Sequence, residues 1–298
     1  MIQTKTEPEL AQAAPVPPLP TPPLPFTVQS CGLTDAGRVR PSNEDHFVIV
    51  ELARTLYVRQ TSVPQAQAQY GSHRGHLFLI ADGMGGHQAG EVASALSALT
   101  IEGFLLNTLK RFFKLEVPEE QNVMKEFQGA LLQADARIFE EASQHSELIG
   151  MGTTLTMAFA VNWRLFVAHV GDSRCYLFSK GELHQLTEDH TLVAEMVRAG
   201  MLSPAGASRH PYRHVVTNVL GGNEPGVRVE MHKLDLEPAD VLVLCSDGLT
   251  KMVPDARIAA ILQEEREPRR ACERLVAEAN ERGGKDNITV VVACFGEA

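Results

Sequence analysis

Residues 152–187 read GTTLTMAFAVNWRLFVAHVGDSRCYLFSKGELHQLT. Three apolar runs, GTTLTMAFAV, RLFVAHVGD and RCYLFSKGELHQLT, are separated only by the polar links Asn162-Trp163, Asp172-Ser173 and Lys180-Gly181. β-Branched and aromatic residues bounded by turn formers predict strands. Links this short join antiparallel neighbours, because a parallel connection needs a long crossover, so the stretch predicts an antiparallel meander.

Upstream, FTVQSCGL from Phe26, DHFVIVEL and HLFLIADG read as further strands. A polar segment at about 53–75 separates the last two and predicts an extended hairpin or a long loop. Two helices are expected next. One runs from about 89 to 110 with Val92, Leu96, Leu99 and Phe104 at helical spacing, the other from about 119 to 145 with Phe127, Leu131, Ala134 and Ile138 on one face. Downstream come an irregular helical stretch at 191–207, the alternating strand VRVEMHKLDL and the apolar strand DVLVLCSDG. Helices at about 255–263 and 268–281 precede a last strand, NITVVVACF. Antiparallel strands with helices inserted in pairs predict an α+β fold, two antiparallel sheets flanked by helices, over a domain at 26–298. Residues 1–25 are proline-dense and are expected to form an extended, solvated tail outside it.

With 298 residues, 44% hydrophobic and 21% charged, the composition is that of a globular protein. A formal net charge of -10 argues against nucleic acid, whose phosphates want a basic face. The five cysteines form no CxxC pair and sit mostly in apolar runs, as reduced core thiols do. No stretch suggests a membrane span or a secretory leader, so a cytoplasmic monomer is expected.

Acids fall where strands end. Asp82 closes HLFLIADG, Asp172 closes RLFVAHVGD and Asp247 closes DVLVLCSDG. Asp286 stands just before the final strand, and Glu44 and Asp45 open the second. A lone Asp-Gly after a strand is a turn signal. Turn chemistry accounts for the glycines but not for an acid at nearly every junction. Strand ends can converge on one cleft, and carboxylates gathered there repel unless cations neutralise them. Carboxylates without a Cys or His cluster select hard cations, magnesium, manganese or calcium, over zinc. Gly83 lets its backbone carbonyl approach a metal. Two such ions about 3.5–4 Å apart can share a water, lower its pKa and aim it at phosphorus. A guanidinium suits the phosphate oxygens, and Arg40 lies five residues before Asp45.

The ordered motifs RPSNED (40–45), DGMGGH (82–87), GTT (152–154), GDSR (171–174), SDG (246–248) and KDN (285–287), with DHTLVAEMVRAGMLSP and TNVLGG between them, resemble the bacterial metal-dependent serine/threonine protein phosphatases of type 2C, the PPM family. The resemblance runs from about Gly32 to the C-terminus. It implies a four-layer α-β-β-α sandwich and hydrolysis of phosphoserine and phosphothreonine with Mg or Mn. It further implies that Asp82 bridges two ions, that the Gly83 carbonyl completes one, and that Asp247 and Asp286 ligate the other. Glu44 and Asp45 would act through metal-bound waters, Arg40 would hold phosphate, and Asp172 with Asp247 would bind a third, weaker ion. The segment at about 191–218 would be a flap beside the cleft. Phosphoproteins are the implied partners, with a partner serine/threonine kinase as the natural companion.

Departures from that pattern also stand out. Met84 occupies the position where many animal members carry a histidine general acid, which leaves His87 or a water for the role. Asn218 stands where bacterial relatives often have arginine, and the 53–75 segment is longer than usual. His190, His210 and His214 read as surface or turn residues of the flap. Absent GxSxG, GxxxxGK[ST] and CxxxxxR motifs weigh against serine hydrolases, P-loop enzymes and cysteine phosphatases. Two rivals stay open: a catalytically inactive module of the same fold, and a two-metal phosphohydrolase acting on small esters or nucleic acid.

Overall fold

The apolar runs fold as strands. The computed structural model describes residues 27–55, 72–85, 88–108, 117–207 and 209–297. Strands β1 (Thr27–Asp35), β2 (Asp45–Thr55) and β3 (Ser72–Met84) lead into helices α1 (Gln88–Thr108) and α2 (Val117–Gln144). Then follow β4 (Gly152–Thr153), β5 (Leu155–Val161), β6 (Arg164–Val170), β7 (Arg174–Ser179) and β8 (Glu182–Gln185). Short helices α3 (Leu192–Arg198) and α4 (Pro204–Ala207) precede β9 (Leu220–Gly221), β10 (Glu230–Asp235) and β11 (Val241–Cys245). Helices α5 (Asp247–Thr250), α6 (Asp255–Glu264) and α7 (Pro268–Glu281) lead to β12 (Ile288–Gly296). The tail expected at 1–25 lies outside the described residues, as does the tip of the 53–75 segment, whose flanks pair from Asp45↔Asp82 out to Thr55↔Ser72.

Among the described residues every strand pairing is antiparallel. One sheet runs β1-β12-β11-β7-β8; the other runs β10-β6-β5-β3-β4-β9, with β2 on β3. Period-two alternation splits each strand between two layers. Phe78, Ile80, Leu165 and Val167 meet Leu177, Leu242, Leu244 and Val291 between the sheets. Leu77, Leu79 and Phe159 face outward, onto Phe127, Leu131 and Ile138 of α2. On the opposite side Tyr176, Val243 and Val290 meet Ile258, Ile261, Cys272 and Leu275 of α6 and α7. Those three apolar layers give the four-layer α-β-β-α sandwich. Among the described residues no helix is long and apolar enough to cross a membrane.

The expected meander is corrected at its middle link. Strands β5 and β6 pair through Asn162 and Trp163, whose φ of 49° and 62° form the left-handed hairpin turn, and β7 pairs β8 through Lys180 and Gly181. Strands β6 and β7, however, do not pair: β6 lies between β5 and β10, and β7 lies in the other sheet beside β11. A short link can turn a chain into the facing sheet as readily as back beside itself. Here Gly171 adopts φ 115°, where a Cβ would come 2.5 Å from Thr154, and steers the chain across the sandwich. Asp172 therefore sits at the seam between the sheets.

Two further expectations shift. Val92, Leu96 and Phe104 pack on the core as expected, but Leu99 is exposed, and the fully buried contacts of α1 come from Ala89, Ala93, Ala98 and Ile101. The helical stretch at 191–207 divides in two, because Gly200 at φ 71° ends α3. At the start of that segment, Thr191 caps α3 by accepting from the Ala194 N–H at 3.3 Å.

Candidate active site

At one end of the sandwich, strand ends from both sheets open on a cleft of about 930 Å³. Arg40, Glu44, Asp82, Gly83, Asp172, Asp247 and Asp286, all expected from sequence, line it. Asp45 lies beneath, buried and directly across the ladder from Asp82. His87 falls outside the described residues.

Backbone clamps fix the acids. The Asp82 carbonyl accepts from the Thr153 hydroxyl and the Thr154 N–H, both at 2.9 Å, and the Asp82 N–H donates to Thr154 Oγ1 at 3.1 Å. Glu44 donates its N–H to Asn287 Oδ1 at 2.9 Å, and its carbonyl accepts from the Gly83 N–H at 3.2 Å and from Ser94 Oγ at 2.7 Å. At Gly83 a Cβ would fall 2.1 Å from the Gly90 carbonyl oxygen, so glycine there is a steric requirement as well as a turn signal. Arg174 forks onto Asp189 with both bonds at 2.7 Å, tying the Asp172 turn to the start of the flap.

Crowding and burial then act on the carboxylates. Burial, reinforced by Asp45, Asp247, Asp172 and Asp286, pushes Asp82 well above the usual carboxylate range. Burial raises Asp172 to about 7, with Asp247 adding to it. Asp45 rises to about 6, chiefly from burial, although the Thr289 and Ser246 hydroxyls each donate to its Oδ2 at 2.7 Å and oppose the shift. The second oxygens, Oδ1 of Asp45 and Oδ1 of Asp247, are buried without a hydrogen-bond partner. Unpaired buried carboxylate oxygens are costly unless a cation meets them. An all-oxygen set with such orphaned atoms fits hard divalent cations. Two side chains offset the acids: Arg40 pairs with Asp286, and Lys251 with Asp247.

A second cluster of potential ligands, His169, His190 and Glu230, has its nitrogens already engaged. His190 Nδ1 accepts from the Gly171 N–H at 3.0 Å and faces the Asn218 amide at 2.9 Å, while its Nε2 faces Glu230 at 3.2 Å. His169 bonds Thr156 at 2.8 Å and the Gly171 carbonyl at 3.0 Å. These bonds make it a brace between the flap and the Asp172 turn. They also correct the reading of His190 as a surface residue, since it is only 3% exposed. Asn218 uses its amide on this brace and on both backbone groups of Arg228, and it is not among the cleft-lining residues. Met84, in contrast, does line the cleft, as does the flap residue His214, whose ring burial holds below its ordinary pKa.

Sequence reasoning assigned no role to Lys251, Asn287, Ser246 or Thr289. Lys251 left a signal, one helical turn after Asp247, and Ser246 and Asn287 stand inside the SDG and KDN motifs; what each holds depends on long-range contacts.

A protein phosphatase 2C family model matches residues 65–285. The chain belongs to the protein phosphatase 2C family. It is 35% identical over 259 residues, 87% of this chain and 92% of the relative, to a serine/threonine phosphatase stp of Listeria welshimeri. The crystal structure of the Mycobacterium tuberculosis serine/threonine phosphatase PstP/Ppp superposes with a TM-score of 0.73 at 32% identity, covering 91% of this chain and 99% of that one. A structure of the catalytic domain of PstP in complex with 2 manganese ions gives a TM-score of 0.71 at 30% identity, covering 91% and 100%. A phosphatase 2C fold with every expected acid among the described residues in place supports a working metal-dependent serine/threonine phosphatase over an inactive module of the same architecture.

Proposed function

We propose that this phosphatase 2C member removes phosphate from phosphoserine and phosphothreonine in the cleft bounded by Arg40, Asp82, Asp247 and Asp286, within a catalytic domain at 26–298. The observation that carries the reading is the convergence of four strand-end aspartates and one arginine on a single cleft, with buried carboxylate oxygens that lack a partner.

Asp82 and the Gly83 carbonyl would hold one divalent ion, with Asp82 shared by a second that Asp247 and Asp286 complete. Glu44 and Asp45 would reach the ions through intervening water, and Asp172 with Asp247 would take a third, weaker one. Magnesium or manganese bound there supplies an ionised water as nucleophile and neutralises the phosphoryl oxygens. The protein's own part is positioning. Arg40, half-exposed at the rim, can leave Asp286 to fork onto two phosphate oxygens. His87 or a cleft water protonates the leaving serine or threonine oxygen. The flap at 191–218, braced to Gly171, sets the wall against which the phosphoprotein lies. Its setting is the cytoplasm, as a monomer, with a partner serine/threonine kinase supplying or serving as substrate.

Hydrolysis of a phosphothreonine peptide tests the reading. Phosphate release should vanish in EDTA and return with manganese or magnesium. A folded protein that releases none with either metal would be a binding module instead.

A further inference from the structure

Lys251 places a positive side chain among the carboxylates of the cleft. Its backbone N–H donates to the Asp247 carbonyl at 2.8 Å, closing the turn of α5, and the i, i+4 spacing sets its side chain beside Asp247. The ammonium contacts Asp247 Oδ2 and stands 3.7 Å from Asp286 Oδ2. It also lines the cleft with Asp172. Burial alone would lower the lysine's pKa, but Asp247, with Asp172 and Asp286, turns the net shift upward. In the other direction, Lys251 is the main influence opposing the burial of Asp247.

We propose that Lys251 is a tethered competitor for the divalent cation that Asp247 and Asp286 are placed to share. This inference rests on the phosphatase reading of the same cleft. The ammonium and a divalent ion claim the same carboxylate oxygens, and at such distances they repel each other in this partly buried site. For the ion to bind, the ammonium must first leave Asp247. A ligand whose competent state is only partly populated binds more weakly by that fraction. The same pairing stabilises the metal-free protein, because without it Asp247 would face its neighbouring carboxylates with no cation of its own, Arg40 being engaged by Asp286. Metal demand is thereby set by this chain's own lysine: the metal-free form is held together, and the loaded form requires a higher free-ion level.

Calorimetric titration of metal-free protein with manganese tests this, using Lys251→Met, Lys251→Gln and Lys251→Arg. The two neutral variants should bind the ion at the Asp247 side about tenfold more tightly than wild type. Their melting temperature in EDTA should be lower, and the rise on adding manganese larger. Lys251→Arg should keep the weak wild-type affinity. Unchanged or weaker binding by both neutral variants would overturn the proposal, and so would tighter binding by Lys251→Arg, since charge would then not be the cause. Wild-type protein that takes up no manganese and releases no phosphate would sink the phosphatase reading itself, and this inference with it.

Discussion

Arg40 grips Asp286 with one edge of its guanidinium, Nε to Oδ1 at 2.8 Å and Nη2 to Oδ2 at 3.0 Å, across 246 positions of sequence. The acid that would ligate a metal thus also parks the arginine that would receive phosphate. Metal arriving at Asp286 would free that fork for substrate. Arg40→Ala should raise the KM for a phosphothreonine peptide about tenfold, with a smaller fall in kcat, because a forked contact to the ground-state phosphate is lost. Steady-state kinetics at saturating manganese would check it, and an unchanged KM would remove Arg40 from the phosphate role.

Asp82→Asn and Asp247→Asn should each lower turnover about a thousandfold or more, the kinetic equivalent of several kcal/mol of lost charge stabilisation. The fold should survive, since the amide keeps the carboxylate's shape. Melting temperature in EDTA should hold or rise for Asp82→Asn, because one of the mutually repelling charges is gone, and should not rise for Asp247→Asn, which also gives up the ion pair with Lys251. Near-normal activity in either variant would contradict the assignment.

Asp45 and Asp172, held at about 6 and about 7, keep protons in the folded chain that the unfolded chain loses above its ordinary value of 3.8. Where the folded state binds more protons, stability falls as pH rises, so these groups weaken the metal-free protein from about pH 4 through pH 7. A bound divalent ion favours the ionised forms and cancels that loss. The rise in melting temperature caused by manganese should therefore grow between pH 5 and pH 8. A metal-induced shift that stays flat over this range would refute the electrostatic account.

A Cβ at Gly248 would lie 1.9 Å from the carbonyl oxygen of Asn287, whose side chain supports the Glu44 backbone. Backbone cannot yield as a side-chain tip can. Gly248→Ala should cost about 3 kcal/mol and lower the melting temperature by several degrees. Gly129→Ala, on α2 with nothing within 4 Å of the added carbon, should instead gain up to about 1 kcal/mol. Equal melting temperatures for the two variants would contradict the steric argument.

The strands and the acids were legible because both signals are local. An apolar run ending in Asp-Gly marks a strand and the residue at its tip, as at Asp82 and Asp247. The crossing at Asp172 was not legible, because a two-residue link looks the same whether the next strand pairs with its predecessor or enters the facing sheet. That choice depends on β11, far along the chain. Leu99 misled for a related reason: periodicity places residues on a face but not its edges, and the sheet took Val92, Leu96 and Phe104 together with the alanines beside them and left Leu99 outside. Ser246 and Thr289, which together hold Asp45, are ordinary hydroxyls in sequence and acquire meaning only when β11 and β12 lie side by side. His190 was misread because a flap residue was assumed to be solvated, whereas its ring is wedged against the Asp172 turn.

Strand β12 lies between β1 and β11, so the first described strand of the chain finds its partner in the last. A chain emerging from the ribosome holds Asp82, Asp172 and Asp247 long before it holds Asp286 and the strand that joins the two sides of that sheet. Until then β1 has no ladder partner, and Asp286 is not held against the other carboxylates. The cleft is consequently completed only once β12 is in place, and a product broken off ahead of β12 would be no phosphatase at all, rather than a feeble one acting on whatever stood near.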